Sequence, residues 1–173
     1  MTDQAVHFSS ARHDWGTPRS FIEWIQNHFG WRPDLDAAAT VRNTKAPRFF
    51  NPHQDGLKQD WFGNVWLNPP FGRELPLWLE KCVKEVQSPT KVNSIWVLIP
   101  ARTDTKWFHE IVLPHASKVC LIKGRFNFRF DEAIEGANAP FPSMLVVFNP
   151  GRHPKMRADI TTLEVPPEAR GFV

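Results

Sequence analysis

Val65-Trp66-Leu67-Asn68-Pro69-Pro70-Phe71-Gly72-Arg73 is the stretch on which the fold turns. The apolar run 65–67 reads as a buried strand. The two prolines forbid that strand to continue and forbid a helix to start on them, because each fixes φ and lacks an N–H. Asn68 to Phe71 is therefore a stiff loop at the carboxyl end of a strand, the edge where open α/β sheets bind ligands. Pro69 and Pro70 present carbonyl oxygens without competing donors, and Asn68 adds a side-chain carbonyl acceptor. Two acceptors on a rigid turn suit a planar exocyclic amino group. Accepting both of its hydrogens draws the nitrogen out of conjugation and leaves its lone pair to attack. Phe71 offers a flat face for a ring. A plain proline-rich turn is the bland alternative. The asparagine before it and the aromatic after it, behind a strand, favour the chemical one.

Downstream, Leu75, Trp78, Leu79, Cys82, Val83 and Val86 share one helical face, with Glu74 and Pro76 suited to the first turn. Cys82 lies on that stripe and reads as a core thiol, not a nucleophile. Upstream, Asp60-Trp61 precedes the strand and Asp55-Gly56-Leu57 reads as a turn. Residues 31–39 read as a short strand ending in Leu35-Asp36-Ala37-Ala38-Ala39. Small residues there let a ligand approach the backbone; Asp36 either caps a helix or pairs with a cation. Thr17 reads as a helix N-cap and Pro18 as the first helical residue. Phe21, Ile22, Trp24, Ile25 and Phe29 follow at helical spacing, and Gly30 ends the helix.

Residues 40–60 are polar and broken by Pro47, Pro52 and Gly56. Arg42, Lys45 and Arg48 beside Phe49 and Phe50 make either a solvated loop or a DNA-facing one. Residues 94–99 form an apolar strand, after which Arg102 either holds a phosphate or is an ordinary surface arginine. Thr103 or Asp104 caps a helix through Trp107, Phe108, Ile111 and Val112. Residues 117–122 are a further strand. Residues 124–130 alternate aromatic and polar, a strand with one wet face, paired as an antiparallel hairpin with a last buried strand at 143–148. From Pro150 onward the chain reads as a loose tail.

The whole 173 residues suit one domain with a real core. Eight tryptophans and fourteen phenylalanines without a tyrosine supply that core, and a base-stacking protein would show the same excess. A net charge of +3 permits nucleic-acid binding without demanding it. Cys82 and Cys120 give neither a disulfide framework nor a metal spacing, and His7 and His13 read as loop histidines, so no metal is expected. No apolar run reaches membrane-spanning length and no signal segment opens the chain; a reducing cytoplasm fits.

Asn68-Pro69-Pro70-Phe71 resembles the (Asn/Asp/Ser)-Pro-Pro-(Tyr/Phe) loop of S-adenosylmethionine-dependent amino-methyltransferases. The order of Asp14-Trp15-Gly16-Thr17-Pro18, Leu35-Asp36-Ala37-Ala38, this loop and Gly124-Arg125-Phe126-Asn127-Phe128 is similar to that of phage-type DNA N6-adenine methyltransferases, over roughly residues 13–149. The resemblance implies a single-domain, three-layer Rossmann-like α/β fold, its sheet mostly parallel with an antiparallel terminal strand pair. The domain would span 14–149, between a flexible lead-in at 1–13 and a tail at 150–173. It implies S-adenosylmethionine held by Trp15, Thr17, Pro18, Asp36, Ala37, Ala38, Asp60 and Asn68. Catalysis falls to Asn68, Pro69, Pro70 and Phe71. Arg42, Lys45, Arg73, Arg102 and Arg125 are the expected contacts to double-stranded DNA whose target adenine is flipped out. A monomer or weak dimer and a phage setting are implied as well. The broader superfamily carries glycines in the cofactor loop where this chain has alanines. The absence of a Pro-Cys loop argues against cytosine-C5 chemistry. Methyl transfer to cytosine N4, to RNA or to a glutamine amide uses the same four residues, and a non-catalytic DNA-binding protein would keep the same fold.

Overall fold

Gly63–Leu67 is the strand that leads into the proline loop (β3), and the sheet is built outward from it. The computed structural model describes residues 16–87, 89–128, 137–153 and 155–172. In chain order the strands are β1 (Leu35–Asp36), β2 (Arg48–Phe49), β3, β4 (Val92–Pro100), β5 (Lys118–Ile122), β6 (Asn127–Phe128), β7 (Ala137–Asn138), β8 (Ser143–Phe148) and β9 (Asp159–Leu163). Seven of them form one sheet in the order β2-β1-β3-β4-β8-β5-β9, while β6 and β7 make a separate ribbon. β1, β2, β3 and β4 run parallel, as do β5 and β9, and β8 alone is antiparallel to its neighbours.

Alternation along β4 shows why the sheet has a layer on each face. Ile95, Val97 and Ile99 point into a cluster with Leu75, Leu79 and Cys82 of helix α2 (Leu75–Val86). Leu98 and the partly buried Trp96 point the other way, toward Phe21, Ile22 and Ile25 of helix α1 (Arg19–Phe29). A strand covered on both faces must be apolar on both, hence the unbroken hydrophobic run. Each of those three α1 side chains is worth about 1.5–3 kcal/mol when buried. Gly30 closes α1 in the left-handed conformation, φ 67°, its N–H on the Gln26 carbonyl at 2.9 Å.

Four local expectations change. Thr17 does not cap α1: Pro18 is the N-cap, extended at ψ 135°, and no side chain caps the helix. The helix carboxyl-terminal to β4 is capped by neither Thr103 nor Asp104. Thr105 Oγ1 accepts from Phe108 N at 3.3 Å, before a π-helical turn at Phe108–Val112 and the short α3 (Leu113–His115). The 143–148 strand does not pair with 125–130. Every residue of β8 is buried, so it needs neighbours on both sides and inserts between β4 and β5. Asn127–Phe128 pairs with Ala137–Asn138 instead, and residues 129–136 of the expected strand and loop lie outside the described residues. The 150–173 segment is not a loose tail. It adds β9 to the sheet edge, and its 3₁₀ turn Pro167–Arg170 packs on α1, where Ser20 Oγ donates to the Ala169 carbonyl at 3.3 Å. The lead-in 1–13 lies outside the described residues.

Candidate active site

The strand order reverses at β1: the chain leaves it for β2 on one side and returns to β3 on the other. Crevices open at such switch points. Leu35 and Asp36 pair with Val65 and Trp66, so Asp36 and Asn68 emerge from adjacent strands at the same edge. A cavity of about 340 Å³ lies there, within the range of small-molecule sites. Asp36 and Trp66 line it, with Asn68 and Pro70 beyond β3. Ala37 to Thr40 follow β1 along one wall, and Phe50 to Pro52 follow β2. Gly16 and Thr17 border it ahead of α1; Glu74 and Trp78 reach it from α2.

The wall between β1 and the 3₁₀ turn Gly56–Lys58 is backbone against backbone. A Cβ on Gly56 would sit 2.0 Å from the Ala37 carbonyl oxygen and 3.2 Å from the Trp78 ring, so only glycine fits. The alanines after Asp36 serve the same end, keeping the wall thin where related loops use glycine.

Asp36 is 3% exposed. Its Oδ2 accepts from Lys45 N at 2.9 Å and its Oδ1 from Ala38 N at 3.4 Å. Burial pushes its carboxyl up to about 7, against the opposing pull of those two hydrogen bonds and of the Lys45 charge. A carboxyl in that state is a receptor for a cation: a positive group beside it recovers the Coulomb energy that burial removed. Thr17 is 4% exposed, and its Oγ1 has no hydrogen-bond partner. Trp78 Nε1 is likewise buried without one. Both residues line the cavity. Buried polar atoms are normally paired, and a ligand in the cavity could supply what these two lack.

Asn68 places its amide oxygen in a buried position at the cavity edge. Pro69 is buried and Pro70 lines the cavity. Phe71 is half-buried and meets Phe141 edge-on at 5.4 Å and Phe128 at 6.3 Å.

The other residues singled out from sequence are placed as follows. Thr17, Asp36, Ala37, Ala38 and Asn68 come together around the cavity. Pro18 is buried beside it as the α1 cap, outside the lining. Trp15 lies outside the described residues. Asp60 is exposed and does not line the cavity, because Trp61 takes the inward position there; Asp55 lines it instead. Lys45, expected on a DNA-facing loop, is 8% exposed and lines the cavity beside Asp36, since its backbone is pinned by the carboxylate. Arg42, Arg73, Arg102 and Arg125 are exposed. Among the described residues no cluster of His, Cys, Asp or Glu could hold a metal. Cys82 is fully buried and its thiol is pushed up by that burial, as a core residue should be.

Sequence reasoning missed Asp55, Gly56, Glu74, Trp78 and Asn43 as cavity residues. Asn43 holds the wall by accepting from Thr40 N at 2.7 Å. Asp55 carries the single positive φ, 55°, outside glycine among the described residues. An Asp-Gly pair signals a turn but not what the turn faces. An apolar helical stripe cannot distinguish a core position from a cavity wall.

A mostly parallel sheet with a switch-point cavity, a buried carboxylate on one strand and an Asn-Pro-Pro-Phe loop on the next defines a Rossmann-like methyltransferase. The model of the family DNA N-6-adenine-methyltransferase (Dam) matches residues 5–166. A DNA N-6-adenine-methyltransferase of Haemophilus phage HP1 (strain HP1c1) is 32% identical over 138 residues, 79% of this chain and 78% of that relative. One of Escherichia phage T1 is 35% identical over 103 residues, 58% of this chain and 41% of the longer relative. The chain belongs to the DNA N-6-adenine-methyltransferase (Dam) family. That family implies a methyl donor of the S-adenosylmethionine type, and the cavity's acidic floor, thin backbone wall and two unpartnered polar atoms fit such a cationic nucleoside.

Proposed function

We propose that this chain methylates N6 of an adenine in double-stranded DNA, that S-adenosylmethionine is held in the switch-point cavity, and that the target base is rotated out of the duplex to reach it. One observation carries the assignment of residues: Asp36 and Asn68, 32 positions apart in sequence, line one cavity from adjacent strands. Asp36 is the receptor for the donor's ammonium group. Thr17, Ala37 and Ala38 border the donor, and Gly56 keeps the wall open for it. Bound there, the donor supplies an electrophilic methyl group on a sulfonium centre.

The chain's own part is placement. An adenine in the stack hides its N6, so it must leave the duplex. Asn68 Oδ1 and the Pro69 carbonyl accept the two N6 hydrogens. Held from two sides, the nitrogen becomes pyramidal and its lone pair is aimed into the cavity. Phe71 stacks on the ring and fixes its plane. As the new N–C bond forms, the donor's methyl–sulfur bond would break and leave its electron pair on sulfur; one N6 proton departs to solvent, so the amine stays neutral. No side chain forms a covalent bond with the base; orientation of two reactants supplies most of the rate. Arg73, Arg102 and Arg125, exposed near the loop or at the same sheet edge, serve DNA phosphates, and Arg42 extends that surface. The chain acts as a monomer or weak dimer.

The test is transfer of labelled methyl from S-adenosylmethionine to duplex DNA, followed by digestion to nucleosides. N6-methyl-2′-deoxyadenosine should carry the label, and Asn68→Ala should lose it. Label on N4-methyl-2′-deoxycytidine would overturn the choice of base, and full activity of Asn68→Ala would overturn the role of the loop.

A further inference from the structure

Two tryptophans stand side by side against the cavity wall, with ring centroids 6.4 Å apart and planes within 25°. Trp61 is 1% exposed and Trp78 6%. Trp61 Nε1 donates to the Gly56 carbonyl at 2.8 Å. Trp78 Nε1, equally buried, has no acceptor. A buried indole N–H is a donor with nothing else to offer, and it ordinarily finds a partner. The Gly56 carbonyl, on the turn that Trp78 packs against, is already taken by Trp61. Trp78 lines the cavity while Trp61 does not. The unsatisfied donor therefore belongs to a residue of the switch-point cavity's wall.

The cavity also says which part of a ligand the N–H meets. Glu74, one turn earlier on the same face of α2, and Asp55 both line it. Two carboxylic residues in the same lining disfavour a ligand carboxylate there. A sulfonium or an ammonium offers no acceptor. What remains on a donor of this type is an acceptor of the nucleoside moiety, a ring nitrogen or a ribose oxygen. Gly56, Leu57 and Phe50 in the same lining give the flat and apolar surroundings that such a ring requires.

We propose that Trp78 is a donor-binding residue whose Nε1–H hydrogen-bonds an acceptor of the nucleoside moiety of the methyl donor. This rests on the reading of the cavity as the S-adenosylmethionine site. It also gives α2 a second task. The helix that follows the Asn68 loop directly reads the donor, so the loop that orients the base and the wall that holds the donor are one continuous segment, residues 68–78.

The experiment uses the full chain and two substitutions at Trp78. Trp78→Phe removes the N–H and some ring volume. Incorporation of β-(3-benzothienyl)alanine at position 78 keeps the ring shape and puts sulfur where the N–H was. Binding of S-adenosylmethionine, of 5′-methylthioadenosine and of methionine is measured by calorimetry. Both variants should bind S-adenosylmethionine and methylthioadenosine about five- to tenfold more weakly than the unaltered protein, the worth of one neutral hydrogen bond. The Trp78 indole proton should move downfield when methylthioadenosine is added to the unaltered protein. Methylthioadenosine binding unchanged in the benzothienyl variant would overturn the proposal, as would a loss confined to S-adenosylmethionine, which would put the contact on its amino-acid part. Should the unaltered protein bind neither nucleoside, the donor-site reading itself falls. If Trp78→Phe fails to fold, the isosteric variant decides alone.

Discussion

On the side of Asn68 that faces β1 and β2, the protein encloses a cavity of about 340 Å³ with a buried carboxyl at pKa about 7 and hydroxyl and indole groups that lack partners. On the side that faces β4 and β8, Phe71 meets other rings edge-on and Arg73 and Arg102 stand in solvent. On the function proposed, the difference follows from what each side must hold. A methyl donor is small and of fixed chemistry, so a preformed cavity can meet every polar atom of it. A duplex brings its own large charged surface, so exposed cations on loops suffice to seize its backbone. The donor side therefore carries its strain in advance, as unpaired buried groups. The base side is completed by the substrate.

The sharpest break in that contrast comes at the boundary between the two sides. Asn68→Ala should lower the rate of methyl transfer by about 100-fold or more, on the scale of losing one preorganised transition-state contact. Donor affinity by calorimetry should change only a few-fold. A loss of donor binding as large as the loss of rate would place Asn68 wholly on the donor side.

Asp36→Asn is the next largest effect. It should weaken S-adenosylmethionine by about 10- to 100-fold, the worth of a charge-assisted hydrogen bond. The pH dependence gives the sign. Asp36 is held at about 7 against an ordinary 3.8, so the fold keeps a proton that the unfolded chain has released. Stability of the donor-free protein should therefore fall as pH rises from about 4 to 7. Donor affinity should move oppositely and strengthen as pH rises through about 7, because only the carboxylate pairs with an ammonium. Denaturant titrations and calorimetry across that range check both. Donor affinity in Asp36→Asn that still rose through pH 7 would assign the titration elsewhere.

Phe71→Ala should cost roughly 10-fold in transfer by removing one stacking face, with the donor affinity intact. A rate equal to that of the unaltered protein would mean that the base stacks elsewhere. Arg102→Ala and Arg73→Ala should each weaken DNA only a few-fold and reduce the salt slope of binding by about 1, across all sequences alike. The smallest effect tests the donor side against its own neighbour. Asp60→Asn should leave donor binding within about twofold, as expected of an exposed surface change, whereas Asp55→Asn should weaken it. Equal losses in the two would show that the cavity extends further than its present walls.

Much of this arrangement was legible in the chain. The strand before Asn68, the helix after it with Cys82 in its core, and the end of α1 at Gly30 all follow from local rules on proline, periodicity and glycine. That Asp36 and Asn68 stand on neighbouring strands at the switch point is what the resemblance to the methyltransferase sheet implies. What went astray shares one physical cause. Thr17 reads as a cap because Thr-Pro before an apolar helix usually is one, and only the packing around Pro18 puts Thr17 on the cavity wall with its hydroxyl uncapped. Lys45 reads as a surface cation until its backbone is found on the Asp36 carboxylate. β8 reads as half of a hairpin until its six buried residues are seen to need two partners. The last two dozen residues are short of periodicity, and β9 forms only because β5 offers an open edge.

The sequence by itself determined where the chain must stiffen, which residues must be buried, and the chemistry of the Asn-Pro-Pro-Phe turn, since these depend on each residue and its near neighbours. The tertiary structure decided which buried polar groups lack partners, that Asp55 and not Asp60 faces the cavity, and that Trp78 borders a space while Trp61 borders only protein. The reason is that burial marks a side chain as inward without saying what it meets there, and that is fixed by contacts between segments far apart in the chain.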